Sequence, residues 1–180
     1  MKIKTLALTL GIAATLCAPL QLSFAADEAA DSMKPTAAEK AFMKKAADGG
    51  MTEVEMGQVA AEKGGSDAVK DFGNLMVKDH GKINENLKEL AGKMNVTLPA
   101  SVSAKHKAMI EKMSGMSGAA FDNAYVPAMV KDHKMDIAEF EKAGKMVKNE
   151  DLKKFIDESV ETMKGHLEKI EKFDQAKPKS

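Results

Sequence analysis

The chain has 180 residues, and its 27 basic residues, all of them lysine, balance 27 acidic ones, so the formal net charge is zero. A neutral chain has no basic field to hold phosphate backbones, which argues against nucleic acid as a ligand. With 44% hydrophobic but only 4% aromatic residues, we expect a core made mainly of aliphatic side chains and methionine. The single Cys excludes an internal disulfide bond.

The first residues have the pattern of a secretory signal peptide. Lys2 and Lys4 precede an apolar run, and the stretch closes on the small residues of Ser23-Phe24-Ala25. We therefore expect residues 1–25 to be removed and the mature protein to be exported to the periplasm. The run is shorter than the roughly 20 apolar residues that span a bilayer, so no membrane-spanning segment is expected after cleavage. Cleavage would also remove Cys17, the only thiol.

The first half of the mature chain predicts two long helices. Residues 26–36 are small, polar and aperiodic, which predicts a flexible lead-in. Apolar positions then recur every three or four residues. The first helix is predicted over Ala37–Lys63, before the glycines Gly64-Gly65, and the second from a cap at Ser66 or Asp67 to about Met94.

The second half predicts one short helix and two long ones. A short helix is expected over residues 101–113, followed by a Gly-rich break and a third long helix over about Ala119–Val147. Pro127 lies in this range, so the third helix either begins or kinks there. The fourth helix is predicted from a cap at Asn149 to about Phe173, and a charged tail occupies residues 175–180.

The lengths of the links predict the topology of residues 37–174. Two short loops form two helical hairpins, and a crossover of about 24 residues, which contains the short helix, joins them. Simple up-down bundles have short loops only, whereas ferritin-like bundles have one long crossover. We therefore predict an all-α fold, a ferritin-like four-helix bundle.

Each long helix has an apolar stripe interrupted by one titratable residue. Glu53 interrupts the first stripe, and His80, His133 and His166 interrupt the other three, so all four are predicted to face the interior. Counted from the hairpin turns at 1.5 Å per residue, they lie about 18 to 27 Å along helices about 40 Å long. The stripes therefore predict a polar cluster at mid-height.

Neutral imidazoles and a carboxylate at one level are suited to metal binding. Such ligands accept zinc, iron or copper, and bundle cores are where carboxylate-bridged metal proteins place them. We predict one transition metal ion on Glu53, His80, His133 and His166. A second interpretation stays open: the pairs Glu53–His80 and His133–His166 are hydrogen bonds that fix the register of the hairpins.

Further polar residues are assigned by their place on the helices. Metal-bound histidines usually donate their second nitrogen to a carboxylate, and Glu161 and Asp136 are expected in that role. Asp79 and Asp132 are turned about 100 degrees from their histidine neighbours, so we expect them at the rim or paired with lysines. His106, between two lysines of the crossover, is expected to be exposed.

The chain is rich in methionine, with 14 residues of this type. Most fall on the apolar stripes and predict core packing. Met109, Met113 and Met116 share one helical face, which leaves copper binding through soft sulfur open as an alternative. No nucleophile, phosphate loop or cofactor motif is recognised, so an enzyme is not indicated. The pattern specifies neither a protein partner nor an oligomeric state.

Several segments of the chain together resemble a known family. They are Phe42, Gly49–Gly57, Met76–His80, Leu98-Pro99, Gly118–Tyr125, His133 and His166-Leu167. In combination they are similar to an exported bacterial family of ferritin-like domains, domain-of-unknown-function family 4142, over nearly all of residues 37–173. The resemblance implies a ferritin-like bundle outside the cytoplasm and no established activity.

The histidine motifs differ from those of di-iron ferritins, which have Glu-x-x-His on two helices. Here the residues three positions before the histidines are Val77, Val130 and Met163, so a ferroxidase centre is not expected. The sequence favours an exported bundle that binds one metal ion. The alternative is a non-catalytic envelope stress or interaction protein in which the Glu/His cluster is a structural hydrogen-bond network.

Overall fold

The computed structural model describes residues 34–175. The predicted signal peptide, most of the lead-in and most of the charged tail lie outside this range. Residues 34–175 form five helices, and their one element of β-type pairing is an isolated bridge between Gly64 and Gly118. The predicted all-α bundle is confirmed.

The helices begin and end close to the predicted positions. Their bounds are α1 Ala37–Lys63, α2 Asp67–Lys93, α3 Ala104–Ser114, α4 Gly118–Gly144 and α5 Glu150–Gln175. Side chains cap the first turns, since Ser66 Oγ accepts from the N–H of Val69 and Asn149 Oδ1 accepts from that of Leu152. α4 ends before the predicted Val147, because the Ala143 carbonyl accepts the N–H groups of both Met146 and Val147 in a closing turn.

Pro127 lies within α4, which starts nine residues earlier at Gly118. Of the two sequence alternatives, a helix start at Pro127 is therefore wrong. A proline inside a helix removes one backbone donor, and this one is exposed on the bundle surface. Water can reach the carbonyl that loses its partner there.

The helices pair into two hairpins, α1 with α2 and α4 with α5, as the loop lengths predict. α1 also packs on α4, and α2 on α5. Gly118, at the start of α4, bridges to Gly64, at the end of α1, so the crossover returns the chain along the bundle and α4 runs antiparallel to α1. One long crossover is the connectivity that ferritin-like bundles have; kinship with that fold stays a prediction.

Two carboxylates tie the hairpins together, one at each end of the bundle. At one end, the oxygens of Asp122 on α4 accept the N–H groups of Gly65 and Ser66, at 2.8 and 3.0 Å. At the other end, Glu39 Oε1 on α1 accepts the N–H of Lys148 at 3.0 Å, between α4 and α5. Each tie joins one hairpin to the turn of the other.

The core consists of two apolar clusters with a polar layer between them. On every long helix, the titratable residue of the predicted site separates members of one cluster from members of the other. The flanking pairs are Ala47 and Met56 on α1, Leu87 and Met76 on α2, Ile137 and Met129 on α4, and Met163 and Ile170 on α5. The polar layer is thus sealed above and below by aliphatic and methionine side chains.

Candidate metal centre

The polar layer contains the four residues that the sequence singled out. Glu53, His80, His133 and His166 are each at most 3% exposed. The three imidazole rings lie 5.2 to 5.9 Å apart, centroid to centroid. His80 Nε2 lies 2.6 Å from Glu53 Oε2. The four side chains therefore converge between the two hairpins, while metal binding by them stays a prediction.

Outer oxygen atoms fix the orientation of two of the imidazole rings. His133 Nδ1 lies 3.1 Å from the Met129 carbonyl oxygen, and His166 Nε2 lies 3.0 Å from Asp79 Oδ2. A carbonyl or carboxylate oxygen can only accept, so each of these nitrogens carries the hydrogen. In the neutral rings, His133 Nε2 and His166 Nδ1 are then bare lone pairs.

These two bare nitrogens face each other at 3.4 Å. Two acceptors cannot form a hydrogen bond, so this approach needs a cation or an added proton between them. For zinc–nitrogen bonds of 2.0–2.1 Å, the nitrogens of a tetrahedral site are about 3.3 Å apart. One nitrogen from each of His80, His133 and His166 lies within 4.8 Å of the others. The three histidines can therefore hold one metal ion.

Glu53 belongs to a second group as well. One oxygen from each of Glu53, Asp132 and Asp136 lies within 4.8 Å of the others. Glu53 Oε1 is 3.5 Å from His133 Nδ1, and yet neither this oxygen nor His80 Nε2 makes a hydrogen bond of favourable angle to a described residue. The predicted set of four therefore divides into a three-histidine group and a carboxylate group that Glu53 joins.

Burial controls the protonation of the histidines. It lowers the pKa of His80 to about 4 against the opposing fields of Asp79 and Asp132. It also lowers the pKa of His133 and of His166, although Glu53 and Asp79 respectively act the other way. All three rings are therefore neutral at neutral pH, the state in which imidazole binds a metal.

Burial has the reverse effect on the carboxyl groups. It raises the pKa of Glu53 to about 7, with His133 opposing the shift and Asp132 adding to it. Asp136 is raised to about 8, first by burial and then by the charges of Glu53, Asp132 and Glu139. The pKa of Asp132 is raised too, mainly by burial. In this poorly solvated place the carboxyl groups therefore resist ionisation near neutral pH, and a bound cation would favour their charged forms.

A cavity of about 220 Å³ leads from the surface to the polar layer. Its inner wall includes the buried Glu53 and His80, and its outer wall includes exposed residues such as Lys105 of α3 and Met135 of α4. Asp132 and Asp136 lie along the same wall. An ion or small molecule therefore has a route from solvent to the carboxylate group.

A family model called domain of unknown function (DUF4142) matches residues 24–173. The chain belongs to this family. No curated protein and no solved structure matches it. Between residues 34 and 175 of this DUF4142 chain, no helix has the length and apolar character needed to cross a lipid bilayer.

The structure corrects the assignment of several further polar residues in this DUF4142 chain. Asp79 is 27% exposed, in agreement with a place at the rim, but it accepts from His166 instead of pairing with a lysine. Asp132 is half-buried and faces the carboxylate group. Each helix of a bundle packs against two neighbours, so a residue turned 100 degrees from one contact still faces the next. Glu161 is 79% exposed and cannot support a histidine. His106 is only 27% exposed, because its Nδ1 lies 3.0 Å from Asp48 Oδ2 on α1.

The remaining assignments concern Asp136 and the methionine face. Asp136 faces Glu53 and Asp132 instead of supporting a histidine. Met113 is buried, and Met109 and Met116 pack against the same apolar cluster. These contacts agree with the core-packing interpretation of the methionines.

Proposed function

We propose that this DUF4142 protein binds one divalent transition metal ion through His80, His133 and His166, with Glu53 as the adjoining carboxylate. The observation that supports this most directly is the 3.4 Å approach of two bare nitrogens, His133 Nε2 and His166 Nδ1. That separation agrees with the edge of a tetrahedral zinc site, about 3.3 Å. Imidazole also accepts iron and copper, but zinc fits a buried four-coordinate position best.

The surroundings of the histidines support the same proposal. Metal-binding histidines almost always donate their second N–H to a carboxylate, a backbone carbonyl or water. Here Asp79 and the carbonyl of Met129 have that position for His166 and His133. Burial of the layer also keeps the rings neutral, so little proton release is needed before a metal binds.

The protein is proposed to act outside the cytoplasm, as an exported periplasmic metal-binding bundle. The support for this location is the signal-peptide pattern of residues 1–25. A buried imidazole site inside an exported bundle is suited to storing or buffering a metal ion.

A second function rests on the same hydrogen bonds. The bonds from His133 and His166 to their outer oxygens orient both rings without any metal. A proton shared between the facing nitrogens would then complete a structural network that fixes the register of the hairpins. In that case the protein is a non-catalytic envelope stress or interaction protein.

Zinc titration of the chelator-treated protein separates the two functions. The protein is expressed from the full chain, purified without an affinity tag and titrated by calorimetry. We expect one zinc ion per chain and at least a hundred-fold weaker binding by the His133→Ala/His166→Ala variant. His106→Ala, which removes the one described histidine outside the layer, should bind like the wild type.

Equal zinc affinity of the wild type and the double variant would refute the metal site. The structural network predicts a different result. The double variant would lose more than about 1 kcal/mol of stability with chelator present, and zinc would not stabilise the wild type.

A further inference from the structure

The carboxylate group beside the histidines has the arrangement of an oxygen-ligand site. Asp132 and Asp136 are one turn apart on α4 and share a face, and Glu53 approaches them from α1. One oxygen from each lies within 4.8 Å of the others. Opposite ligands of an octahedral Mg²⁺ are about 4.2 Å apart. A small closure of the three side chains would bring them to a single ion.

One buried oxygen of this group has no hydrogen-bond partner among the described residues. Glu53 is 3% exposed and lines the cavity, and its Oε1 makes no hydrogen bond to a described residue. Its other oxygen, Oε2, lies 2.6 Å from His80 Nε2 and so faces the histidine group. A buried polar atom without a partner is unfavourable, so Oε1 favours a ligand in the cavity.

No described lysine lies inside the cavity, in contact with the three carboxylates. Lys45 and Lys105 are exposed at its mouth, and Lys45 pairs with Glu139. His106 lies against Asp48. The two lysines act on the aspartates only from a distance, through solvent that screens their charge. A divalent ion inside the cavity would place positive charge in direct contact with the three carboxylates.

The cavity has room for a partly hydrated ion. Its volume is about 220 Å³, and a water molecule takes about 30 Å³ of liquid volume. An ion held by three carboxylates and keeping several waters therefore fits. Mg²⁺ and similar hard cations retain waters in this way and prefer carboxylate oxygen to imidazole nitrogen.

We infer that Glu53, Asp132 and Asp136 form a second cation site beside the three histidines, sharing Glu53 with the proposed zinc site, and that it takes a hard divalent ion such as Mn²⁺ or Mg²⁺. It goes beyond the proposed zinc site and uses carboxylates from α1 and α4. The half-buried Asp132 and Asp136 line the cavity that supplies the entry route, so this ion exchanges with solvent more readily than an ion held by the buried histidines.

Electron paramagnetic resonance of Mn²⁺ tests the inference, because free and bound Mn²⁺ give different signals. The zinc-treated wild type should bind one Mn²⁺, and Asp132→Asn/Asp136→Asn should bind it at least ten-fold more weakly with its zinc stoichiometry unchanged. Asn conserves the shape of Asp, and circular dichroism checks the fold. Glu139→Gln, at the mouth of the cavity, is the matched control and should bind Mn²⁺ within about three-fold of the wild type, since screened surface charges contribute little.

A second variant separates this inference from the zinc proposal. His133→Ala/His166→Ala should lose zinc and keep Mn²⁺, which would show that the carboxylate site stands alone. If the double aspartate variant fails to fold, Asp132→Asn alone replaces it with the same expectation. The inference is overturned if Mn²⁺ does not bind below millimolar concentration, or if the aspartate variants bind it as tightly as the wild type.

Discussion

Asp79 offers the sharpest test of how the histidines are prepared for a metal. Its Oδ2 accepts the Nε2–H of His166 at 3.0 Å, which leaves Nδ1 bare and turned towards His133. In Asp79→Asn the amide can rotate and present its NH₂ group instead. His166 Nε2 would then be the acceptor and Nδ1 would carry the hydrogen, so the nitrogen that should bind the metal would be blocked.

The size of the effect follows from the role of the outer partner. Loss of such a partner typically weakens metal binding 10- to 100-fold, which is about 1.4–2.7 kcal/mol. Without metal, a neutral hydrogen bond replaces a charge-assisted one, and the partly exposed Asp79 lets water compensate. The metal-free protein should therefore lose at most about 1 kcal/mol. Asp79→Asn should therefore cost more free energy in the zinc-bound protein than in the metal-free protein.

Two measurements check this expectation on the same samples. Competition with a chromophoric chelator gives the zinc affinity, and urea unfolding in excess chelator gives the metal-free stability. Asp71→Asn, an exposed aspartate two turns earlier on α2, is the matched control and should change neither. An Asp79→Asn protein with wild-type zinc affinity and a stability loss well above 1 kcal/mol would refute the metal-partner role and favour the structural network.

Three further expectations follow from the packing and the charges. Gly73→Ala should destabilise the protein by about 1–3 kcal/mol in urea unfolding, because its Cβ would lie 2.6 Å from the Gly57 carbonyl oxygen. Gly81→Ala, whose Cβ would meet no atom within 4 Å, should stabilise the protein by about 0.5–1 kcal/mol. Equal effects of the two substitutions would refute the close contact between the helices. Burial alone would raise the pKa of Glu39, but backbone N–H groups of Thr36, Lys148 and Asn149 lower it overall below 4.5. Its stabilisation is therefore present above pH 4.5 and lost as the pH falls through the folded pKa. Glu39→Gln should be about 1–3 kcal/mol less stable than the wild type at pH 7, and this difference should shrink as the pH falls below 4.5. A stability difference that stays constant over that pH range would contradict the charge argument. In the metal-free protein, the His80 ring should titrate near a pKa of about 4 by NMR; a midpoint above 6 would show that the ring is not desolvated.

Local sequence signals predict most of this fold. The caps at Ser66 and Asn149 and the glycines after Lys63 fix where the helices begin and end, since each satisfies or interrupts backbone groups of the neighbouring turn. The four polar residues of the layer are predictable for a similar reason. A titratable group in an apolar stripe must face the interior, whatever the neighbouring helix is.

The partners of those residues depend on tertiary packing, and the sequence does not contain that information locally. Asp79 and Asp132 directly precede histidines, and a single helix gives no sign that either also faces a neighbour. That neighbour is α5 for Asp79 and α1 for Asp132. Glu161 has favourable spacing on α5 and still points to solvent. The pentapeptide Met-Val-Lys-Asp-His occurs around both aspartates, at residues 76–80 and 129–133, and this repeat was the signal that could have placed both of them beside the polar layer.

The carboxylate ties of Asp122 and Glu39 bear on the energetics of metal capture. Each hairpin contributes two of the four polar residues of the layer, so a site of this kind exists only while the hairpins keep their spacing. The ties fix that spacing at both ends of the bundle, independently of the layer. The ligands are thus preorganised, and an incoming ion would spend little of its binding free energy on ordering the chain. Substitution of Asp122 or Glu39 should therefore lower the metal affinity, although each residue lies more than about 15 Å along its helix from the polar layer.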